Sequence, residues 1–139
     1  MKDQNCPYCM GREACRDFGV YICHLGVSVL YLFREQSHPG RCVVASKDHV
    51  SELVDLTDQE RSAYFEDVAR AAKAIHAAFQ PNKVNYGAYD DGGGHLHFHL
   101  VPKYQFEFEW EEAFAVDPGK RYLADEEYTV LVEMIKAGL

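Results

Sequence analysis

The hydrophobic positions of this chain follow two different periods. Residues 20–26 (VYICHLG), 27–33 (VSVLYLF) and 41–46 (RCVVAS) crowd β-branched and aromatic side chains into short runs, and each predicts a strand. Between the last two, His38-Pro39-Gly40 suits a turn, since proline presets its own φ and glycine accepts the positive φ of a type II turn. From Thr57 the period becomes helical. Tyr64/Phe65, Val68, Ala71/Ala72, Ile75 and Ala78/Phe79 recur at helical spacing, with Glu66, Asp67, Arg70 and Lys73 between them, until Pro81 stops the run. Thr57-Asp58-Gln59-Glu60 has the spacing of a capping box at its start. A further strand is expected at 84–89, a turn at Asp90-Asp91-Gly92-Gly93-Gly94, and a strand over HLHFHLV at 95–101. A last helix should start at Asp125 with Val130, Leu131, Met134 and Ile135 inward. This order predicts an α+β fold: a mainly antiparallel sheet, one long helix covering it, and a C-terminal helix.

At 139 residues, without repeats or a linker-like stretch, the chain is expected to form one domain over 1–139. Its 47% hydrophobic and 13% aromatic content suits a packed core. No apolar run approaches the roughly 18 residues of a membrane span, and MKDQNCPYC is too polar for a signal peptide, so a cytoplasmic protein away from membranes is expected. The formal charge of −8 argues against a nucleic-acid polymer as partner, because neutralising phosphates needs clustered Lys and Arg. Residues 105–139 carry 3 basic and 9 acidic groups, against 11 and 13 in residues 1–104. The acidity therefore lies in the tail, and a small anion remains an allowed ligand. Within that tail, 106–112 alternates aromatic and acidic residues, which reads as a strand edge or loop with its rings packed and its carboxylates in water.

His95, His97 and His99 alternate with Leu96, Phe98 and Leu100, so a strand places three imidazoles on one face, roughly 6.8 Å apart, over an apolar face turned to the core. Pro102 should limit pairing at the end of that strand. Two chemistries suit such a row: a catalytic metal held by the imidazoles, or direct nucleophilic attack by a neutral imidazole whose neighbours donate protons. Against the first, Tyr104 stands where a cupin-type strand would supply a carboxylate ligand. Cys6 and Cys9 have a C-x-x-C spacing able to bind one tetrahedral zinc, though two ligands alone do not make a site. An odd count of five cysteines argues against a disulfide framework, and Cys15, Cys23 and Cys42 read as small core residues.

HLHFHLV fits the H-φ-H-φ-H-φ-φ signature, and the chain resembles the histidine-triad (HIT) family of nucleotide hydrolases and transferases. The likeness extends to CPYC, His38-Pro39-Gly40, Lys47-Asp48-His49, Leu56-Thr57 and Asn85-Tyr86-Gly87, in that order, giving a core over roughly 6–104 and an acidic extension over 105–139. The resemblance implies a homodimer that cleaves dinucleoside polyphosphates or nucleoside phosphoramidates at the α-phosphate. His97 would attack phosphorus through one ring nitrogen while a backbone carbonyl holds a proton on the other, giving a nucleotidyl-histidine intermediate. His99 would hydrogen-bond the phosphate or protonate the leaving group, and Asn85 would lie near the ribose and phosphate. Gly93 and Gly94 would offer amides to phosphate, or simply form the loop. Branches of the family imply a structural zinc on Cys6, Cys9, His49 and His95. Phe108 or Trp110 would stack on a base.

The chain departs from the family pattern in two places. Glycines stand where many members carry Gln-Ser or Gln-Thr before the triad, and Arg41 stands where some branches have a histidine. Arg41 reads either as an anion contact or as a strand-edge charge, and Lys103 as a phosphate contact or a solvated charge. Two other functions fit the same residues: a metal-dependent hydrolase with the triad as ligands, and a nucleotide-binding module with little turnover.

Overall fold

The computed structural model describes residues 2–139. Its elements are α1 (Pro7–Met10), β1 (Gly19–His24), β2 (Ser28–Phe33), β3 (Cys42–Ser46), α2 (Asp58–Phe79), β4 (Lys83–Gly87), β5 (His97–Lys103) and α3 (Asp125–Ala137), with a short 3-10 turn at Leu53–Asp55. The strands form one antiparallel sheet in the order β1-β2-β3-β5-β4, so the fold is α+β as expected. The single-turn α1 and the 3-10 turn are too short to leave a period in the sequence.

Strand alternation divides the sheet into two faces. Ile22, Leu30, Leu32, Cys42, Val44 and Leu100 point to α2 and α3 and form the main core with Val68, Ala71, Ile75 and Ile135. Tyr31, Phe33, Val43 and Ala45 point the other way, around the buried Cys15. The β3–β5 register, with Val43 opposite His99 and Ala45 opposite His97, puts those two histidines on this second face.

The long helix is capped as its sequence predicts. Thr57 Oγ1 accepts from the Glu60 amide at 3.1 Å, and Glu60 accepts from the Thr57 amide at 2.8 Å. The Pro39-Gly40 turn also forms, with the Arg41 amide donating to the His38 carbonyl and Gly40 at φ 93°. Only glycine fits there, because a Cβ would lie 2.5 Å from the Phe79 ring.

Four expectations are corrected. His95 and Leu96 precede β5, which instead runs on through Pro102 to Lys103. Pairing with β3 ends at Leu100 while β4 continues to Lys103, so Pro102 sits where the strand has one neighbour only. Asp67, expected on the solvent side of α2, is buried and accepts from the Gly26 and Val27 amides and the Ser28 hydroxyl, capping the β1–β2 turn. In α3 the inward residues are Tyr128, Val132 and Ile135, whereas Val130 and Met134 are exposed; the buried stripe runs at i, i+4, i+7 from Tyr128, whose hydroxyl donates to the Arg34 carbonyl. Residues 106–112 form turns, the loop alternative of the expectation, but the ring of Phe106 is exposed instead of packed.

Candidate active site and metal cluster

The three histidines separate into two environments. His95, held just before β5 by the Leu96 amide bonding to the Val50 carbonyl, turns its ring toward the N-terminal turn α1. Its Nε2–H donates to the Ser46 carbonyl at 2.7 Å, which leaves Nδ1 as a lone pair. That Nδ1 lies 3.3 Å from Cys6 Sγ, 3.5 Å from Cys9 Sγ and 3.2 Å from His49 Nδ1, and Cys9 Sγ is 3.2 Å from His49 Nδ1. All four ligand atoms lie within 4.8 Å of one another. A tetrahedral zinc with ordinary Zn–N and Zn–S bonds needs ligand–ligand edges of about 3.4 to 3.8 Å, so the donor set and its spacing fit the ion. Burial raises the Cys6 thiol above its usual range and lowers His95.

His97 is turned the other way about. Its Nδ1–H donates to the backbone carbonyl of His95 at 2.8 Å, leaving Nε2 unprotonated. The carbonyl that the nucleophilic reading requires is therefore that of residue 95. His97 is buried, with Tyr8 of α1 laid against its ring at 4.8 Å between centroids and His99 at 5.3 Å. Asp90 Oδ2 is 3.9 Å from His97 Nδ1, beyond hydrogen-bond reach.

His99 accepts at Nδ1 from Arg41 Nη2 at 3.1 Å. Burial first, then the positive charge of Arg41 and the neighbouring His97, hold it down to about 3. A histidine so placed is neutral at working pH and presents an Nε2–H donor rather than an imidazolium. Three ring nitrogens thus serve three unrelated partners, and the triad does not converge on one point as a metal ligand set would. Among the described residues only Cys6, Cys9, His49 and His95 come together in that way.

A cavity of about 370 Å³ opens beside His99, lined by Pro7, Tyr8, Phe18 and Phe33 together with Asp90, Gly93 and Asp117. A larger one of about 510 Å³ lies by Cys9, Tyr21 and Lys47, and no triad histidine lines it. Gly93 borders the smaller cavity, but its amide and that of Gly94 already donate to the side chain and carbonyl of Asp90. Phosphate would have to displace Asp90 to use them. Asn85 lies on β4 opposite Val101, on the sheet face that carries His99, but does not line that cavity. Phe108 packs against His38 and Lys120 instead of an open site.

Lys103 and Arg41 are neither solvated nor open to an anion. Lys103 is buried, with Nζ donating to the Glu109 and Glu112 carbonyls. Arg41 is buried between Phe33 and Phe114. Tyr8, Phe33 and Phe114 are site residues that the sequence reading passed over. For Tyr8 a signal existed, an aromatic enclosed within the C-x-x-C pair.

The HIT domain family model matches residues 21–106. The chain belongs to the HIT family. It is a family of nucleotide-binding proteins at the level of hydrolases and transferases. The chain is 30% identical over 79 residues to Protein hit of Bacillus subtilis (strain 168), 53% of this chain and 54% of that protein, so the match spans about half the length of this curated relative. Among solved structures it is similar to a histidine triad (HIT) protein of Sinorhizobium meliloti 1021, with TM-score 0.83 and 19% identity over 91% of this chain and 94% of that one. It is also similar to a Zn-bound histidine triad family protein of Mycobacterium smegmatis, with TM-score 0.66 and 19% identity over 96% and 94% of the two chains. At these identities the structural likeness establishes the HIT fold. Among the described residues no helix is long and apolar enough to cross a membrane.

Proposed function

We propose that this HIT chain is a nucleotide hydrolase or transferase that cleaves dinucleoside polyphosphates or nucleoside phosphoramidates at the α-phosphate, with His97 as nucleophile. The observation that carries the reading is the His97 Nδ1–H bond to the His95 carbonyl, which leaves Nε2 with its lone pair. Nε2 attacks the α-phosphorus, the bond to the leaving group breaks, and water then cleaves the phosphoramidate and frees His97. The neutral His99 donates its Nε2–H to a phosphate oxygen, the role its depressed basicity favours over protonating the leaving group. The aromatic residues that line the cavity, Tyr8, Phe18 and Phe33, suit a nucleobase. Cys6, Cys9, His49 and His95 would hold a structural zinc, which when bound would fasten α1 to the start of β5. The sheet ends in β4, an edge strand with one side unpaired, which is compatible with a homodimer.

Acid-quenched enzyme mixed with substrate should gain one nucleoside monophosphate in mass on His97, and His97→Asn should lose turnover by about 10³-fold or more. Normal turnover by that variant would overturn the reading. Tight nucleotide binding with no hydrolysis across a panel of polyphosphates and phosphoramidates would favour a binding module. Elemental analysis of the purified chain should find one zinc per protomer.

A further inference from the structure

Arg41 is an expensive residue to bury. Its side chain is 0% exposed, and its guanidinium lies 4.3 Å from the centroid of Phe33 and 5.1 Å from that of Phe114. Among the described residues no carboxylate lies within salt-bridge distance of it, and Glu35, Asp117 and Glu109 act on it only from further away. Nη1 donates to the Ala115 carbonyl at 3.1 Å, Nη2 to the Val116 carbonyl at 2.7 Å and to His99 Nδ1 at 3.1 Å, while Nε has no partner among the described residues. Removing a cation from water without a counter-ion is strongly unfavourable. Two carbonyls alone could be satisfied by a neutral amide or by water, which would not carry that cost.

A guanidinium differs from those neutral alternatives in having no acceptor and no accessible deprotonated form. A glutamine, a serine or a water facing His99 Nδ1 would serve either tautomer of the ring. A guanidinium serves only one, with the lone pair on Nδ1 and the proton on Nε2. It also grips the segment 115–116 with the same group, so the histidine and the acidic extension share one anchor.

We propose that Arg41 is a positioning residue for the phosphate-binding histidine: it locks His99 as the Nε2–H tautomer and ties its orientation to the Ala115–Val116 segment. The inference rests on the reading of His99 as a phosphate donor. The groups facing His99 are Arg41, just before β3, and His97, on β5, together with the rings of Phe33 and Phe114; Asp90 and Asp117 share its cavity. Protonating His99 would set two cations 3.1 Å apart, so the lock holds across the working range of pH.

Long-range 15N NMR on the full-length chain tests this without relying on turnover. In the wild type His99 should show an unprotonated Nδ1 and a protonated Nε2, unchanged from pH 8 to pH 5. In Arg41→Met the ring should populate both tautomers, and its titration midpoint should rise by about one pH unit or more. Arg41→Lys, which keeps a pure donor, should restore the single tautomer. Turnover by Arg41→Met should fall about 10- to 100-fold in kcat with KM little changed. Finding Nδ1–H in the wild type, or an unchanged tautomer and titration in Arg41→Met, would overturn the proposal. Should Arg41→Met not fold, the wild-type and Arg41→Lys spectra decide. A wild type with the expected tautomer but no turnover of any nucleotide sinks the hydrolase reading and leaves the role of Arg41 standing.

Discussion

On the helix side of the sheet, Leu30, Leu32, Val44 and Leu100 meet α2 and α3 with hardly a polar atom between them. One residue further along the same strands, the other side carries His97 and His99, and at its margin lie Glu35, His38, Arg41, His95 and Lys103, all buried. The first side gains stability from area, which is indifferent to direction. The second depends on directed hydrogen bonds, many of them to backbone of residues 109–121. Glu35 accepts from the Lys120 and Arg121 amides, His38 meets Glu109 at 2.6 Å, and Arg41 and Lys103 donate to carbonyls of the same stretch. Removing one member there strands its partners, whereas a methyl lost from the core costs only its own contacts and the void it leaves. Asp67 is the exception that belongs to the helix side, and it too is fully occupied with donors.

The contrast can be broken or sharpened by experiment. His97→Asn gives the largest effect, the loss of turnover already stated, and its melting free energy should fall less than that of any core truncation. Leu100→Ala inverts the pattern: about 2 to 5 kcal/mol of stability lost by denaturant titration, with kcat per folded molecule nearly unchanged. A Leu100→Ala enzyme that is stable but inactive would mean that the two faces are not separable. Acid should attack the polar face next. His99 is neutral when folded, held down to about 3, and protonates near 6.5 when unfolded, so the unfolded state binds the extra proton as pH falls. Its contribution is complete above about 6.5 and is lost progressively toward 3, about 2 kcal/mol by pH 5. His38, lowered by burial, adds to the loss with the same sign. Stability curves at pH 7 and pH 5 check this, and a flat profile would refute it. Thr57→Ala, remote from both faces, should cost about 1 kcal/mol through the cap of α2 and leave the pH profile unaltered.

The helix side was the readable one. Its residues announce themselves through the strand and helix periods, and the capping box marks where α2 begins. The alternation in HLHFHLV marked the three imidazoles and the C-x-x-C spacing marked Cys6 and Cys9, but joining residues 6, 9, 49 and 95 and singling out His97 came only through resemblance, because residues so far apart have no periodicity of their own. Arg41, Lys103, Glu35 and His38 were not readable as buried groups. Their partners are mostly main-chain carbonyls and amides of an irregular segment, and a backbone group leaves no mark in a sequence. The inward face of α3 was placed only in part: Leu131 and Ile135 do pack on the core, but Tyr128 looks amphipathic, and its burial makes sense only through the Arg34 carbonyl and the Leu123 amide that its hydroxyl meets.

Residue 95 contributes to two systems through different atoms. Its imidazole belongs to the cysteine and histidine cluster, while its main-chain oxygen accepts from His97 Nδ1 and so sets the tautomer of that ring. The side chain can therefore be exchanged without deleting the oxygen, so the donor set of the cluster and the tautomer of His97 are free to vary separately along a lineage. What a lineage is not free to change is the path of the backbone at this point, where a shift would loosen both at once.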